Sequence, residues 1–342
     1  MAQQNGSSVA DSVTASVASL LALACATGTA QAQQKPTGPN GPNGFPTKPI
    51  RVLVSSAAGG GLDMISRAVA EKLGERLGRA VVVDNQAGGN GAIAAGLLAD
   101  ATPDGYTLMS TSNSMILNGV FNRLQFDIRK AFVPVARQSS QYYLAYAPVG
   151  FKANNVRELI ALAKANPGKL NFGSSGVGSV IHLGMEMFQM GAGVKMVHIP
   201  YKGNGPANID IAAGRLDLLL GALSGLPLVR SGKAKILGAT SPRRMADFPD
   251  LPTFAESGVP DFELSNTYTL YAPIKTAAPV VAFLNNQVAT LLATPEVKAK
   301  FAADNSEAAP PIPPEQLRVE FLKEFDRWEA VVKAAGITAD QL

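Results

Sequence analysis

Two hydrophobic periods alternate along the chain. Ile50-Arg51-Val52-Leu53-Val54 reads as a short buried strand, and Ile65, Val69, Leu73 and Leu77 then recur every fourth residue. That spacing predicts a helix over Met64 to Leu77, which Gly78 stops. Ala80–Asp84 is Val-rich, as a parallel strand buried on both faces should be. Ala87-Gly88-Gly89-Asn90-Gly91 leads into a small-residue helix ending near Asp100, Pro103-Asp104-Gly105 is a turn, and Tyr106–Thr111 is a third strand. Strand, helix, strand, helix, strand predicts right-handed crossovers and a parallel sheet.

A second cycle starts near Tyr142–Ala147. Asn155 and Glu158 are spaced like a capping box ahead of a helix over Val156 to Ala165, which Asn166-Pro167-Gly168 ends. Strand 170–174, helix 180–190, strand 195–200, a helix near 206–213 and strands 216–220 and 234–240 follow. Residues 265–273 form one more strand. From Pro279 the pattern is helical, broken at Pro310–Pro314 and closed by an amphipathic stretch over 315–335. At 342 residues the chain exceeds what one core usually serves, so two α/β lobes are expected. Joined by more than one strand, they would form a hinge and an interlobe cleft, with ligands outside the carboxyl ends of the strands.

Apolar residues make up 46% of the chain and charged residues 16%, a balance with ample material for two cores. The formal charge of +4 is spread thinly, with no basic run interleaved with aromatics and a single Trp, so a nucleic-acid surface is not expected. The N-terminus reads as an export signal over 1–32: Val13 to Ala26 is small and apolar, and Ala30-Gln31-Ala32 fits a cleavage site. No basic side chain precedes Lys35, and the stretch is too short and polar to span a bilayer. Cys25, the single cysteine, falls inside this segment, so the exported chain would use neither disulfides nor thiol chemistry. A lipoprotein with Cys25 acylated is the lesser reading. Residues 33–45, rich in Pro, Gly, Asn and Gln, are expected as a disordered leader.

The chemistry of the chain lies in two small-residue turns between a strand and a helix. The first runs Ser55-Ser56-Ala57-Ala58-Gly59-Gly60-Gly61-Leu62-Asp63 and the second Gly173-Ser174-Ser175-Gly176-Val177-Gly178-Ser179. A helix start offers unpaired N–H groups and a partial positive charge, which favour an anion. Each turn also has a plainer reading, as a tight connection or a solvated Ser/Gly loop. Neither has the spacing of a Walker A loop, a dinucleotide fingerprint or a nucleophile elbow. Asp63 is placed either to cap its helix or to meet an ammonium or water. Ser112, Asn113 and Ser114 add polar groups after the third strand. Tyr201 and Lys202 follow a strand end, where Lys202 would be either solvated or paired with a second carboxylate. His182 and His198, the only histidines, have no acidic partner at ligand spacing, so each is expected as a hydrogen-bonded structural residue and no metal site is expected.

Six segments, taken in order, resemble one family: Phe45-Pro46-Thr47-Lys48-Pro49-Ile50-Arg51, Ala58-Gly59-Gly60-Gly61-Leu62-Asp63, Pro103-Asp104-Gly105-Tyr106-Thr107-Leu108, His198-Ile199-Pro200-Tyr201-Lys202-Gly203, Ala213-Gly214-Arg215-Leu216-Asp217 and Leu251-Pro252-Thr253-Phe254-Ala255-Glu256-Ser257-Gly258. From Phe45 to Leu342 the chain resembles the Bug family, the TctC-like periplasmic substrate-binding receptors of tripartite tricarboxylate transporters. The resemblance implies a type II periplasmic-binding-protein fold closing like a flytrap, with lobe 1 over 46–139 and 263–342 and lobe 2 over 140–262. It implies a ligand such as a dicarboxylate, tricarboxylate, acidic amino acid or aromatic acid. Backbone groups and waters at Ala58–Gly60 and Asp63, and at Ser175–Ser179, would hold it. Ser56 stands where the family usually has Phe, so a wider and more polar pocket is expected; Leu62 stands where it has Thr, and Gln86-Ala87 where it has Arg-Pro.

These readings converge on a monomeric periplasmic receptor without cofactor or catalytic residues, delivering a small organic acid to the membrane permease subunits of such a transporter. A receptor feeding a sensor kinase is the alternative. A third, an α/β enzyme using Ser175, lacks an evident base and oxyanion signature.

Overall fold

The computed structural model describes residues 38–121, 123–302, 306–338 and 341. The expected signal segment over 1–32, with Cys25, lies outside the described residues.

In chain order, the first elements are β1 (Ile50–Val54), α1 (Gly61–Leu77), β2 (Val81–Asn85), α2 (Ala92–Ala99), β3 (Thr107–Ser112), α3 (Ser114–Val120) and α4 (Ile128–Ala131). Next come β4 (Phe132–Tyr142), β5 (Leu144–Pro148), α5 (Val156–Ala165), β6 (Asn171–Ser174), α6 (Val180–Ala192), β7 (Val197–Pro200), α7 (Asn204–Ala212), β8 (Leu218–Gly221), α8 (Leu226–Arg230) and β9 (Ala234–Ala239). The chain closes with β10 (Ser265–Pro273), α9 (Ala278–Leu292), α10 (Pro295–Ala302), β11 (Glu307–Ala308) and α11 (Pro314–Ala335). One sheet has the order β11-β4-β10-β3-β1-β2 and the other β7-β6-β8-β5-β9. The fold is thus a two-lobed α/β fold, with one sheet in each lobe.

Each sheet has a parallel part running to one edge, as the strand–helix alternation predicts: β1 pairs with β2 and β3, and β6 with β7 and β8. The strands that pass between the sheets depart from the all-parallel expectation. β10 runs antiparallel to β3 and β4, and β5 antiparallel to β8 and β9. A strand returning directly needs no crossover helix, so it arrives antiparallel. β4 is also absent from the sequence expectation, because Arg137-Gln138-Ser139-Ser140-Gln141 carries no apolar alternation. Yet Gln138 and Ser139 are buried there.

One residue, Tyr143, separates β4 from β5 where the chain crosses between sheets. Thr240 ties that crossing to the return strand. Its Oγ1 accepts from the Tyr143 N–H at 2.9 Å and donates to the Leu264 carbonyl at 2.6 Å, while its own N–H donates to the Tyr143 carbonyl.

Packing follows the predicted faces. On α11, Leu317, Phe321, Phe325, Trp328 and Val331 are buried at helical spacing. The last four join one continuous apolar cluster with Phe188, Phe254 and Leu264. Residues 38–45, expected within a disordered leader, instead pack on the folded body. Gly41 lies against the Phe283 ring and Gly38 against the Arg76 and Leu77 backbone, so close that a Cβ would clash at 2.8 and 2.3 Å. Glycine permits that approach. At the start of α5, Asn155 Oδ1 accepts from the Glu158 N–H at 2.9 Å. The returning bond from Glu158 goes to the Asn154 N–H rather than to that of Asn155.

Two substitutions test this packing, using the fluorescence of the buried, single Trp328 during urea unfolding. Phe254→Ala empties a site wedged between Phe188 and Phe262 and should cost about 3–5 kcal/mol. Asn155→Ala removes one cap and should cost about 1 kcal/mol. Equal losses would contradict the cluster drawn here.

Candidate functional site in the interlobe cleft

The carboxyl ends of β3, β6 and β8 converge on a cavity of about 410 Å³. From the larger sheet's side it is lined by Asn90, by Ser114, Leu117 and Asn118 of α3, and by Phe121 and Arg123 just beyond. The smaller sheet's side contributes Ser175, Gly176, Val177, Gly178, Ser179, Val180 and Ile181, with Asn204 and Ala222. Gln141, Tyr143 and Asn266 close it at the crossing strands. The second small-residue turn and Ser114 are therefore brought together in one cavity wall, from its two sides.

The other residues singled out in the sequence lie outside that wall. Ala57, Ala58, Gly59 and Gly60 are exposed at the head of α1, and Ser56 is half-buried beside them. Their loop is nonetheless adjacent to the cavity's rim: a Cβ on Gly91 would lie 3.3 Å from Ser55 Cβ, one residue on from the lining Asn90. Asp63 is buried and engaged, accepting from the Gly59 N–H at 2.8 Å, from Arg67 Nε at 3.0 Å and from Asn85 Nδ2 at 2.8 Å. Burial raises its pKa, but these hydrogen bonds and the Arg67 charge outweigh that and hold it below the usual carboxylate range. Ser112 hydrogen-bonds Ser114 at 2.6 Å, and Asn113 donates to the Ser265 carbonyl at 2.9 Å. Tyr201 donates its hydroxyl to Asp210 Oδ2 at 2.7 Å, and burial with that carboxylate pushes its pKa up to about 12. Lys202 is exposed.

Within the second turn the local bonds decide which N–H groups remain free. Gly176 donates to Ser174 Oγ, Gly178 to His182 Nδ1, Ser179 to the Gly176 carbonyl, and His182 N–H to Ser179 Oγ. Among the described residues, the N–H groups of Val177, Val180 and Ile181 find no acceptor, and all three residues line the cavity. The first turn leaves a similar set, the N–H groups of Gly61, Leu62 and Asp63.

Residues 65–337 match the tripartite tricarboxylate transporter family receptor, TctC. The chain belongs to this family. It is similar to a protein of Pseudomonas sp. from the tcbD-tcbE intergenic region, at 32% identity over 94% of each chain. It is likewise similar to BugT of Bordetella pertussis, at 33% identity over 85% of this chain and 90% of that one. Among solved structures it resembles a Rhodopseudomonas palustris protein with adipate, at 32% identity and TM-score 0.68, covering 86% of this chain and 99% of that one. MatC of the same organism, with bound malate, is similar at 28% identity and TM-score 0.65, covering 84% and 100%.

TctC receptors are periplasmic solute-binding proteins and not enzymes, and in the second turn of this chain the serine that meets a histidine ring lies away from the cavity lining. That serine is Ser174, whose Oγ lies 2.7 Å from His198 Nε2, and not the cavity-lining Ser175. Ser174 is fully buried. Among the described residues, no three His, Cys, Asp or Glu side chains cluster as metal ligands, and no helix is long and apolar enough to cross a membrane. A larger cavity of about 600 Å³ lies at the opposite strand ends, beside Val149, Phe151 and Lys169. Helices α5 and α7 turn their carbonyl ends toward it, through Asn166 and Ala212, and Lys152, Lys169 and Lys233 line it with Asp217.

The two histidines form the turn's foundation. Their rings stack 3.7 Å apart at 13°, and Phe172 stacks on His198 at 5.0 Å. Because His182 Nδ1 accepts from Gly178, that nitrogen is unprotonated, and Nε2 faces Glu186 Oε1 at 3.7 Å. Burial lowers both imidazoles to about 4, with the neighbouring ring adding to the effect on His198. Between pH 6.5 and 4 the unfolded chain binds protons that the native rings refuse. Stability should therefore fall as the pH drops through this window. Burial raises Glu186, which acts in the opposite sense. His182→Gln should flatten the fall in urea midpoint between pH 6.5 and 4; an unchanged slope would exclude His182 as its source.

Proposed function

We propose that this receptor captures a small organic carboxylate in the interlobe cavity through main-chain amides, and passes it to the permease subunits of a tripartite tricarboxylate-type transporter. The observation that carries the reading is the set of unpaired N–H groups at Val177, Val180 and Ile181 inside a cavity at the start of α6. An anion there meets both free donors and the positive end of the helix. Asn204 adds a buried Oδ1 without a partner in the same cavity, an acceptor for a water or for a hydroxyl or ammonium on the ligand. That two relatives above 25% identity were solved with adipate and with malate supports the same class of ligand.

On this reading lobe 1 comprises 46–139 with 263–342 and lobe 2 comprises 140–262. The exposed loop at Ala57–Gly60 supplies the second set of amides when the lobes meet. Asp63 then works indirectly, holding that loop through Gly59. The exported protein is a periplasmic monomer whose signal segment is removed after Ala32.

A thermal-shift screen of dicarboxylates, citrate-like acids, acidic amino acids and aromatic acids should find at least one that raises Tm with concentration. Native mass spectrometry of freshly purified protein should show a co-purified small acid. No stabilisation by any class would sink the reading.

Gly60→Val tests the first loop separately. Gly60 has an extended backbone, and a Cβ there meets only the Ala57 carbonyl, at 3.7 Å, so the variant should fold. Its affinity should drop at least about tenfold as the side chain shields the amides; unchanged affinity would remove the first loop from the site.

A further inference from the structure

The cavity has one formally charged side chain in its lining, Arg123. Its guanidinium lies 5.8 Å from the centroid of Phe121, itself a lining residue, so the charge stands at the cavity wall. The backbone beneath it is anchored, since the Arg123 N–H donates to the Asn118 carbonyl at 2.9 Å. Among the described residues no carboxylate pairs with this arginine, whereas Arg51, Arg67, Arg129, Arg137, Arg215 and Arg244 each have an acidic partner. Free amides belong to the start of α6, beyond the smaller sheet, while Arg123 follows α3, beyond the larger one. Leu117, Phe121, Tyr143 and Ile181 supply apolar wall.

Resting on the receptor reading above, the geometry points to Arg123 as a subsite for a second acidic group, which makes the ligand a dianion with a carbon spacer. One carboxylate meets the amides of Val177, Val180 and Ile181, the spacer lies along the apolar wall, and the far carboxylate meets the planar guanidinium fork. A fork of this kind binds carboxylate in two parallel hydrogen bonds. An uncharged far end gains no attraction from the guanidinium, so Arg123 selects dianions over monocarboxylates of equal length. Because the dianion touches elements of both lobes, it also favours the arrangement that brings them together.

Matched pairs separate this subsite from the receptor reading: hexanedioate against hexanoate, and butanedioate against butanoate, titrated calorimetrically into the full chain. Wild-type protein should bind at least one dianion, and bind it more tightly than its monocarboxylate partner. Arg123→Gln should weaken that dianion about tenfold or more and leave the monocarboxylate within about twofold, with Arg123→Lys recovering part of the loss. Added salt should weaken the dianion in wild type and much less in Arg123→Gln. Arg123 is exposed, so Tm of the unliganded variants should match wild type. A dianion bound equally by wild type and Arg123→Gln, or no preference for dianion over monocarboxylate in wild type, overturns the subsite while the receptor reading stands. If wild type binds none of the four acids nor any in the wider screen, the receptor reading falls and the subsite with it.

Discussion

An α-helix cannot satisfy its own first N–H groups, and this protein leaves two of them, with one more from the turn before, at residues that line a cavity. The start of α6 is otherwise closed bond by bond: Ser179 caps His182, His182 receives Gly178, and Ser174 receives Gly176. The remaining amides of Val177, Val180 and Ile181 carry the candidate site's capacity for anions. Orphan donors in a pocket are costly unless water or a ligand meets them, so the same feature that weakens the empty turn favours an anion beside it.

Rigidity under the turn comes from an unusual foundation. Phe172, His198 and His182 stack in sequence, and the two imidazoles are held neutral by burial. Neutrality matters because a protonated His182 would lose the lone pair that receives Gly178. The first turn is fixed differently, through a charged hub: Asp63 gathers Gly59, Arg67 and Asn85. The two loops thus present similar amides on supports of opposite electrostatic character, one neutral and stacked, the other ionic.

Between the lobes, the chain crosses at Tyr143 and returns past Thr240, and one hydroxyl bonds to both segments. Tyr143 also lines the cavity, so the crossing that relates the lobes is itself part of the wall a ligand touches. Any ligand spanning both sides acts on the relative position of the sheets through these contacts.

Local periodicity determined most elements. The strands β1 and β10 and the helix α5 fall where alternation and capping residues predict them, because their signals lie within a few neighbouring residues. The two glycine-bearing turns were visible for the same reason. Pairing of distant segments decided the rest. Buried Gln138 and Ser139 made β4 invisible as a strand; the Gln138 side chain is met by a residue of another strand, Ser110, whose Oγ donates to its Oε1, while Ser139 Oγ has no partner among the described residues. Asn90, Asn118, Arg123, Gln141, Asn204 and Asn266 carry no local signal of a site, because each is an ordinary polar residue until the sheets bring it to one cavity. The sequence by itself determined that two helix starts could hold an anion; only the tertiary structure decided which one opens into a pocket and which charge stands beside it, because convergence depends on contacts far apart in the chain.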